Sequence, residues 1–278
     1  MTTDGTVARN YIFPPADHPA ESSLRAWLHH SRVLAGRQIL VFVRDVPTLL
    51  QTLIVPALAM VMFKVVLGDT IGAATGQDSV YGTVPLVILV GAMFGSIASA
   101  TRLNLERQSG LLGRIYVLPI NRGADLTSRI LSELFRIFIT TILLLAVGTL
   151  IGFRFTQGIW AVLGLVAVAM AYGATFAVCT LALAVNAAPG APLVPYLGLL
   201  SSLMMFFNSG FSPVDMYPGW LQPIVANQPM TPAIEVMRSF AVGGPVAANL
   251  TKVCLWVVVL TGLSIYPALR GYRKAATA

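Results

Sequence analysis

The sequence predicts an all-α integral membrane protein. It has six transmembrane helices, an N-terminal amphipathic interface helix, a short cytosolic helix between the second and third spans, and a re-entrant segment before the last span. Three observations predict this. Charged residues make up 10% of the 278 residues and apolar residues 56%, with a mean hydropathy of +0.77. A soluble domain carries about 25% charged residues, so this chain has too few to cover a water-facing surface. Six stretches reach the roughly 20 apolar residues that a helix needs to cross hydrocarbon. The basic residues also sit in short runs beside those stretches, so the net charge of +7 reads as membrane orientation and not as a nucleic-acid surface.

The elements follow in chain order. Residues 1–23 are polar and proline-containing without an apolar core, so a cleaved signal peptide is not expected and the tail is expected in the cytosol. Over 24–44, Leu24, Trp27, Leu28, Leu34, Ala35, Ile39 and Phe42 recur at helical spacing opposite Arg25, His29 and Arg32. Such a basic amphipathic helix lies in the interface. A transmembrane domain over 49–269 follows, with spans at about 49–67, 83–101, 128–152, 159–185, 193–211 and 250–269, then a tail over 270–278. Pro189, Gly190 and Pro192 place a tight turn between the fourth and fifth spans. The 212–249 stretch holds six of the 17 prolines yet is rich in Trp220, Leu221, Ile224, Val225, Ile234, Val236 and Met237. A solvated loop is not so apolar; two short helices dipping back, covered by protein or lining a cavity, fit it.

Orientation follows from Lys and Arg. The N-terminal stretch, the loop between spans two and three, and the C-terminal tail share one side of a six-span chain, and they hold thirteen of the 18 basic residues. The opposite loop at 68–82 holds none. Positive-inside then places both termini in the cytosol of a multi-pass plasma-membrane protein.

Several chemistries have no footing. No lysine follows a glycine, so no P-loop can form. The histidines, His18, His29 and His30, all precede the first span, and Cys179 and Cys254 fall inside apolar runs as packing residues. No catalytic or metal site is expected, and any ATP hydrolysis must come from another chain. Within the spans, Glu133 and Arg136 form an i, i+3 pair near the cytosolic end of the third helix, structural or functional in role. In the fifth span, Met204, Met205, Phe207 and Asn208 form a candidate cargo path, because Met adapts to varied apolar shapes and a buried Asn needs a partner.

The 102–119 loop is too patterned for a connector. Leu111, Leu112, Ile115 and Tyr116 make one apolar stripe, Arg107 and Arg114 share a face, and Pro119 stops the helix. Glu106-Arg107-x-x-Gly110 followed by Leu118-Pro119 resembles the cytosolic loop of ABC-2-type exporter permeases. Tyr217-Pro218-x-Trp220-Leu221, then Gln228-Pro229-Met230-Thr231-Pro232 and Met237-Arg238, resembles the segment before the last span in the same family. Within that family the chain is similar to the daunorubicin-resistance group of actinobacteria, the DrrB/DrrC-like permeases and among them DrrC, from about residue 30 to Tyr272. Gln108 stands where many members carry a second acidic residue.

The resemblance implies two permease subunits, identical or related, above two separate ATP-binding subunits that hold the ATP and Mg; this chain carries no cofactor. It implies that the 102–119 coupling helix, with Glu106, Arg107, Gly110, Leu111, Arg114 and Ile115, and the interface helix, with Arg25 and Arg32, contact those ATPases. The cargo it implies is a hydrophobic drug or a complex cell-envelope lipid, moved outward. A membrane-embedded lipid-modifying enzyme and a passive scaffold are the alternatives.

Overall fold

The computed structural model describes residues 23–76, 78–111, 123–187 and 193–277. The second part of the predicted coupling helix, 112–119, including Arg114 and Ile115, lies outside the described residues, as do residues 188–192 of the predicted turn.

Helix α1 spans Leu24–Arg44, started by Ser23, whose side chain accepts from the Ala26 N–H at 3.1 Å. One residue, Asp45, separates it from α2, Val46–Thr75, and caps the new helix. Its carboxylate accepts from the Thr48 hydroxyl at 2.6 Å and the Thr48 N–H at 3.4 Å. Further helices are α3 (Val80–Gln108), α4 (Ala124–Leu150), α5 (Ile159–Asn186), α6 (Leu193–Phe206), α7 (Gln222–Asn227), α8 (Met230–Val242) and α9 (Ala247–Thr277). A single 3₁₀ turn at Val214–Met216 precedes α7.

Five helices hold stretches long and apolar enough to cross a membrane: Val46–Val66, Val80–Gln108, Ala124–Leu150, Ile159–Asn186 and Ala247–Tyr272. The predicted fifth span at 193–211 is different. It forms a helix of 14 residues that stops at Phe206, about 21 Å long.

The bundle is built around α3 and α5, which pack on each other and between them touch α2, α4, α6, α8 and α9. α3 is the most enclosed of the long helices, while α2 and α9 turn most of their apolar surface outward. Helix α8 sits inside, with Met230, Ala233, Ile234, Val236, Met237 and Ala241 fully buried against Leu86, Leu89 and Met93 of α3 and Leu165 of α5 in one core. The approach is close because Gly82 of α3 lies on the turn after α6. A Cβ there would stand 2.2 Å from the Gly210 carbonyl oxygen and 2.9 Å from the Arg238 guanidinium.

Helix α1 packs on α4, and its fully buried residues are the small Ala26, Ser31 and Ala35, while Trp27, Leu34, Ile39 and Phe42 of its apolar stripe are half-buried. The amide of Gln38 donates to Ser128 Oγ at 3.1 Å, and Ser132 Oγ donates to the Ala35 carbonyl at 3.4 Å. Leu24, Leu28, Val33 and Leu40 stay exposed, as do Arg25 and Arg32.

Candidate functional site

Helix α4 carries Asp125, Arg129, Glu133 and Arg136 at spacings of four, four and three, which puts them on one stripe. The stripe faces Ser99, Arg102 and Glu106 of α3. Arg129 is the hub: its Nη2 lies 2.6 Å from Glu106 and its Nε 3.1 Å from Asp125. Side-chain exposure of these three groups is only 11%, 18% and 6%, so charge-assisted bonds hold them where water screens little. Arg102 reaches Asp45 at 3.3 Å, tying α3 to the α1–α2 junction.

The sequence reading sends Glu106 and Arg107 outward to a partner. In the structure both turn back onto the bundle. Glu106 binds Arg129, and Arg107 Nη1 donates to the Ala187 carbonyl at 3.0 Å. Ala187 is the C-cap of α5, where carbonyls lack helical partners and the helix dipole favours a cation. Gly110 adopts a φ of +71°, the left-handed conformation that ends α3. It is exposed and Leu111 is half-buried. The root of the loop is thus fastened to α4 and α5.

Glu133 and Arg136 form their predicted pair, with Arg136 Nη2 and Nε at 2.6 and 3.1 Å from Oε2. The pair lies deeper than the helix entrance, because α4 begins at Ala124, a turn before the predicted span. Arg136 is twelve residues in, about 18 Å along a helix rising ~1.5 Å per residue. Ser99 donates to Glu133, and Arg136 Nη2 donates to the Ala92 carbonyl at 3.3 Å. The guanidinium lies flat on Gly95, where a Cβ would sit 1.7 Å from Nη1. That Nη1 is buried and has no hydrogen-bond partner.

These groups line an open cavity of about 120 Å³ between α1, α2, α3, α4 and α5, room for on the order of ten waters. Its floor is the α3–α4 polar stripe. Residues 37–42 of α1 and Thr48 and Thr52 of α2 form the opposite wall. Sequence reasoning missed Asp125, Arg129, Arg102 and Gly95. The four-residue spacing that continues from Asp125 to Glu133 was the available signal for the first two.

The other candidate, at the end of α6, is resolved into separate roles. Met204 packs on the core and Met205 is half-buried, whereas Phe207 is 39% exposed beside the Tyr217 ring. Asn208 is fully buried and its amide is used locally. Its NH₂ donates to the Met204 carbonyl at 3.0 Å and to the Met205 carbonyl, and its Oδ1 accepts from the Gly210 N–H at 2.7 Å. Tyr217 donates to the Asn208 carbonyl at 2.9 Å, and Gln228 donates to the Phe207 carbonyl. Asn208 therefore ends α6 and has no spare group for cargo. Lys64 pairs with Asp78 at 2.5 Å, and both cysteines are free thiols. Among the described residues, no three His, Cys, Asp or Glu side chains come together as metal ligands.

Comparison with known proteins agrees with this architecture. The family model described as ABC-2 type transporter matches residues 30–241. A Mycobacterium tuberculosis (strain H37Rv) protein named as a probable doxorubicin resistance ABC transporter permease, DrrC, is 34% identical over 273 residues, covering 98% of this chain and 99% of its own. The daunorubicin resistance ABC transporter permease DrrB1 of Streptomyces coeruleorubidus is 24% identical over 215 residues, 77% of this chain and 75% of its own. The doxorubicin resistance ABC transporter permease DrrB of M. tuberculosis is 28% identical over 202 residues, 68% of this chain and 70% of its own. With three quarters of its length matched by one family and nearly all of it by a permease, the chain belongs to the ABC-2 type transporter family, as a multi-pass membrane permease.

Proposed function

We propose that this permease is the membrane-spanning part of an ATP-driven exporter in the plasma membrane, moving a hydrophobic or amphiphilic cargo outward. The observation that carries this reading is the fastened loop root, Glu106 to Arg129 and Arg107 to the end of α5. A force applied to the 102–119 segment would pass directly into α4 and α5 instead of being lost in a slack connector. The force would come from a separate ATPase subunit that binds ATP and Mg and docks on that segment and on the exposed arginines of α1. A second permease, identical or related, completes the complex.

The thirteen-of-18 bias in basic residues supports cytosolic termini and a cytosolic loop root. In this arrangement α6 is the fifth of six crossings, and the transmembrane domain runs from 49 to 269. The relatives' names support a drug such as doxorubicin or daunorubicin as cargo; a complex envelope lipid is the other class. Met204, Met205 and Phe207 lie on the cargo path in this reading.

The test is reconstitution of the permease in vesicles with its P-loop ATPase subunit. ATP-dependent movement of a fluorescent anthracycline or a labelled envelope lipid, lost when the ATPase lysine of the P-loop is replaced, is the expected result. A permease that moves cargo equally well without the ATPase, or that never co-purifies with it, refutes the proposal.

A further inference from the structure

The cavity between α1 and α4 combines two properties that together select a ligand. Every carboxylate at its edge already touches a guanidinium: Glu106 and Asp125 share Arg129, Glu133 takes Arg136, and Asp45 takes Arg102. Donors, by contrast, are left over. Arg136 Nη1 is buried without a partner in a residue only 5% exposed. Arg37, exposed on the α1 wall, makes no ion pair among the described residues. An unfilled guanidinium donor in a low-dielectric wall calls for an anionic acceptor. The wall beside these donors is apolar, with Val41 and Phe135 well exposed and Phe42 half-buried. A small soluble anion has no use for that surface; an acyl chain does.

We propose that this vestibule binds the headgroup of an anionic amphiphile, a phosphate or carboxylate on an apolar chain, and that it does not accept cationic amphiphiles. Arg136 is the inner contact and Arg37 the outer one, and Gly95 keeps the floor low enough for Arg136 to lie flat. The site is a lipid site and not the entrance for a cationic drug, and its binding does not rest on the export reading.

The experiment uses the full chain in phosphatidylcholine nanodiscs, without ATPase or nucleotide, with bound lipid counted by native mass spectrometry. Phosphatidylglycerol should be retained about tenfold more tightly than phosphatidylcholine, as charge-assisted contacts to two guanidinium groups would give. Arg37→Gln should weaken retention several-fold and Arg136→Gln should abolish the preference. Should Arg136→Gln fail to fold, Arg37→Gln on its exposed helix face still decides, with Arg37→Lys expected to restore part of the binding. Millimolar inorganic phosphate should leave the lipid in place, and doxorubicin, a cation, should not compete. Equal retention of the two lipids, or retention unchanged in both arginine variants, overturns the proposal. So does displacement by phosphate, which would mark a free-anion site, or by doxorubicin. Because no transport is read, failure here leaves the export proposal standing, and failure of ATP-driven export leaves this site untouched.

Discussion

Replacing Arg129 with methionine probes the joint that fastens the loop root to α4. Methionine keeps an unbranched apolar stem of similar length, so the change removes the guanidinium while largely preserving packing. Two carboxylates are then stranded, Glu106 and Asp125, whose side chains are 18% and 6% exposed. Removing one partner of a buried pair costs about 3–5 kcal/mol. Glu106 can still reach some water, so the lower end applies, about 3 kcal/mol. At roughly 2–4 °C per kcal/mol for a chain of this size, the unfolding midpoint should fall by roughly 6–12 °C. Tryptophan fluorescence during heating of the detergent-solubilised protein reads this. A second variant, Arg129→Met with Glu106→Gln, neutralises one stranded charge and should recover about 1–2 kcal/mol of the loss, a coupling that a double-mutant cycle isolates. A fall of less than about 2 °C, or strictly additive effects of the two substitutions, would refute the joint as an energetic link.

Other predictions concern packing, pH and topology. Gly95→Ala should drive the Arg136 guanidinium off α3 and cost about 1–3 kcal/mol by overpacking. Gly36→Ala, where nothing lies within 4 Å of the new carbon, should leave the thermal midpoint unchanged or raise it slightly. Partial burial raises the Asp78 carboxyl pKa, but the hydrogen bond from Lys64, the Val80 N–H and the Lys64 charge outweigh it and hold the pKa below the ordinary 3.8. The stability that Asp78 supplies is therefore complete above that ordinary value and disappears as pH falls through the lower folded value. Asp78→Asn should lower the midpoint equally at neutral pH and at mildly acidic pH, with the gap to the parent closing only below pH ~4; a gap that grows on acidification would contradict the pairing. The pair is 31% and 44% exposed, so the effect stays under ~1 kcal/mol. In a chain lacking Cys179 and Cys254, an impermeant maleimide should label Asp69→Cys from outside intact cells and miss Ser109→Cys, both exposed positions; the reverse pattern would invert the orientation.

Most of the long helices are legible in the sequence because hydropathy over about 20 residues is a local property. The ends of those helices are less so. Helix α4 starts four residues earlier than its apolar run, since Asp125 pairs with Arg129 and so enters the helix at reduced cost. Helix α6 stops early because Asn208 turns its amide onto the carbonyls of Met204 and Met205, a choice that composition does not reveal. The α3–α4 site was half legible. The Glu133–Arg136 pair and the Glu106-Arg107-x-x-Gly110 motif are visible in one dimension, but Arg129 and Glu106 are 23 residues apart in sequence and Arg107 and Ala187 are 80. Only packing brings them together, and it turns two residues read as outward contacts into anchors. On α1 the sequence marks an apolar and a basic face, yet the small residues Ala26, Ser31 and Ala35 are the ones buried on the packed helix, because they allow close backbone approach.

The early stop of α6 also sets a length problem for the bilayer. Its side chains Tyr196, Leu199, Leu203 and Phe206 are exposed along a helix of 14 residues, about 21 Å against a hydrocarbon thickness of about 30 Å. In the six-crossing arrangement proposed above, this helix falls short of the hydrocarbon by roughly 9 Å, which local thinning of the lipid beside it would accommodate. Such mismatch costs a fraction of a kcal/mol per ångström, enough to gather short or disordered acyl chains around α6. Membrane thickness thereby becomes a variable that the permease senses at this one flank, and turnover of the assembled exporter should rise in vesicles of shorter-chain lipid and fall in thicker ones.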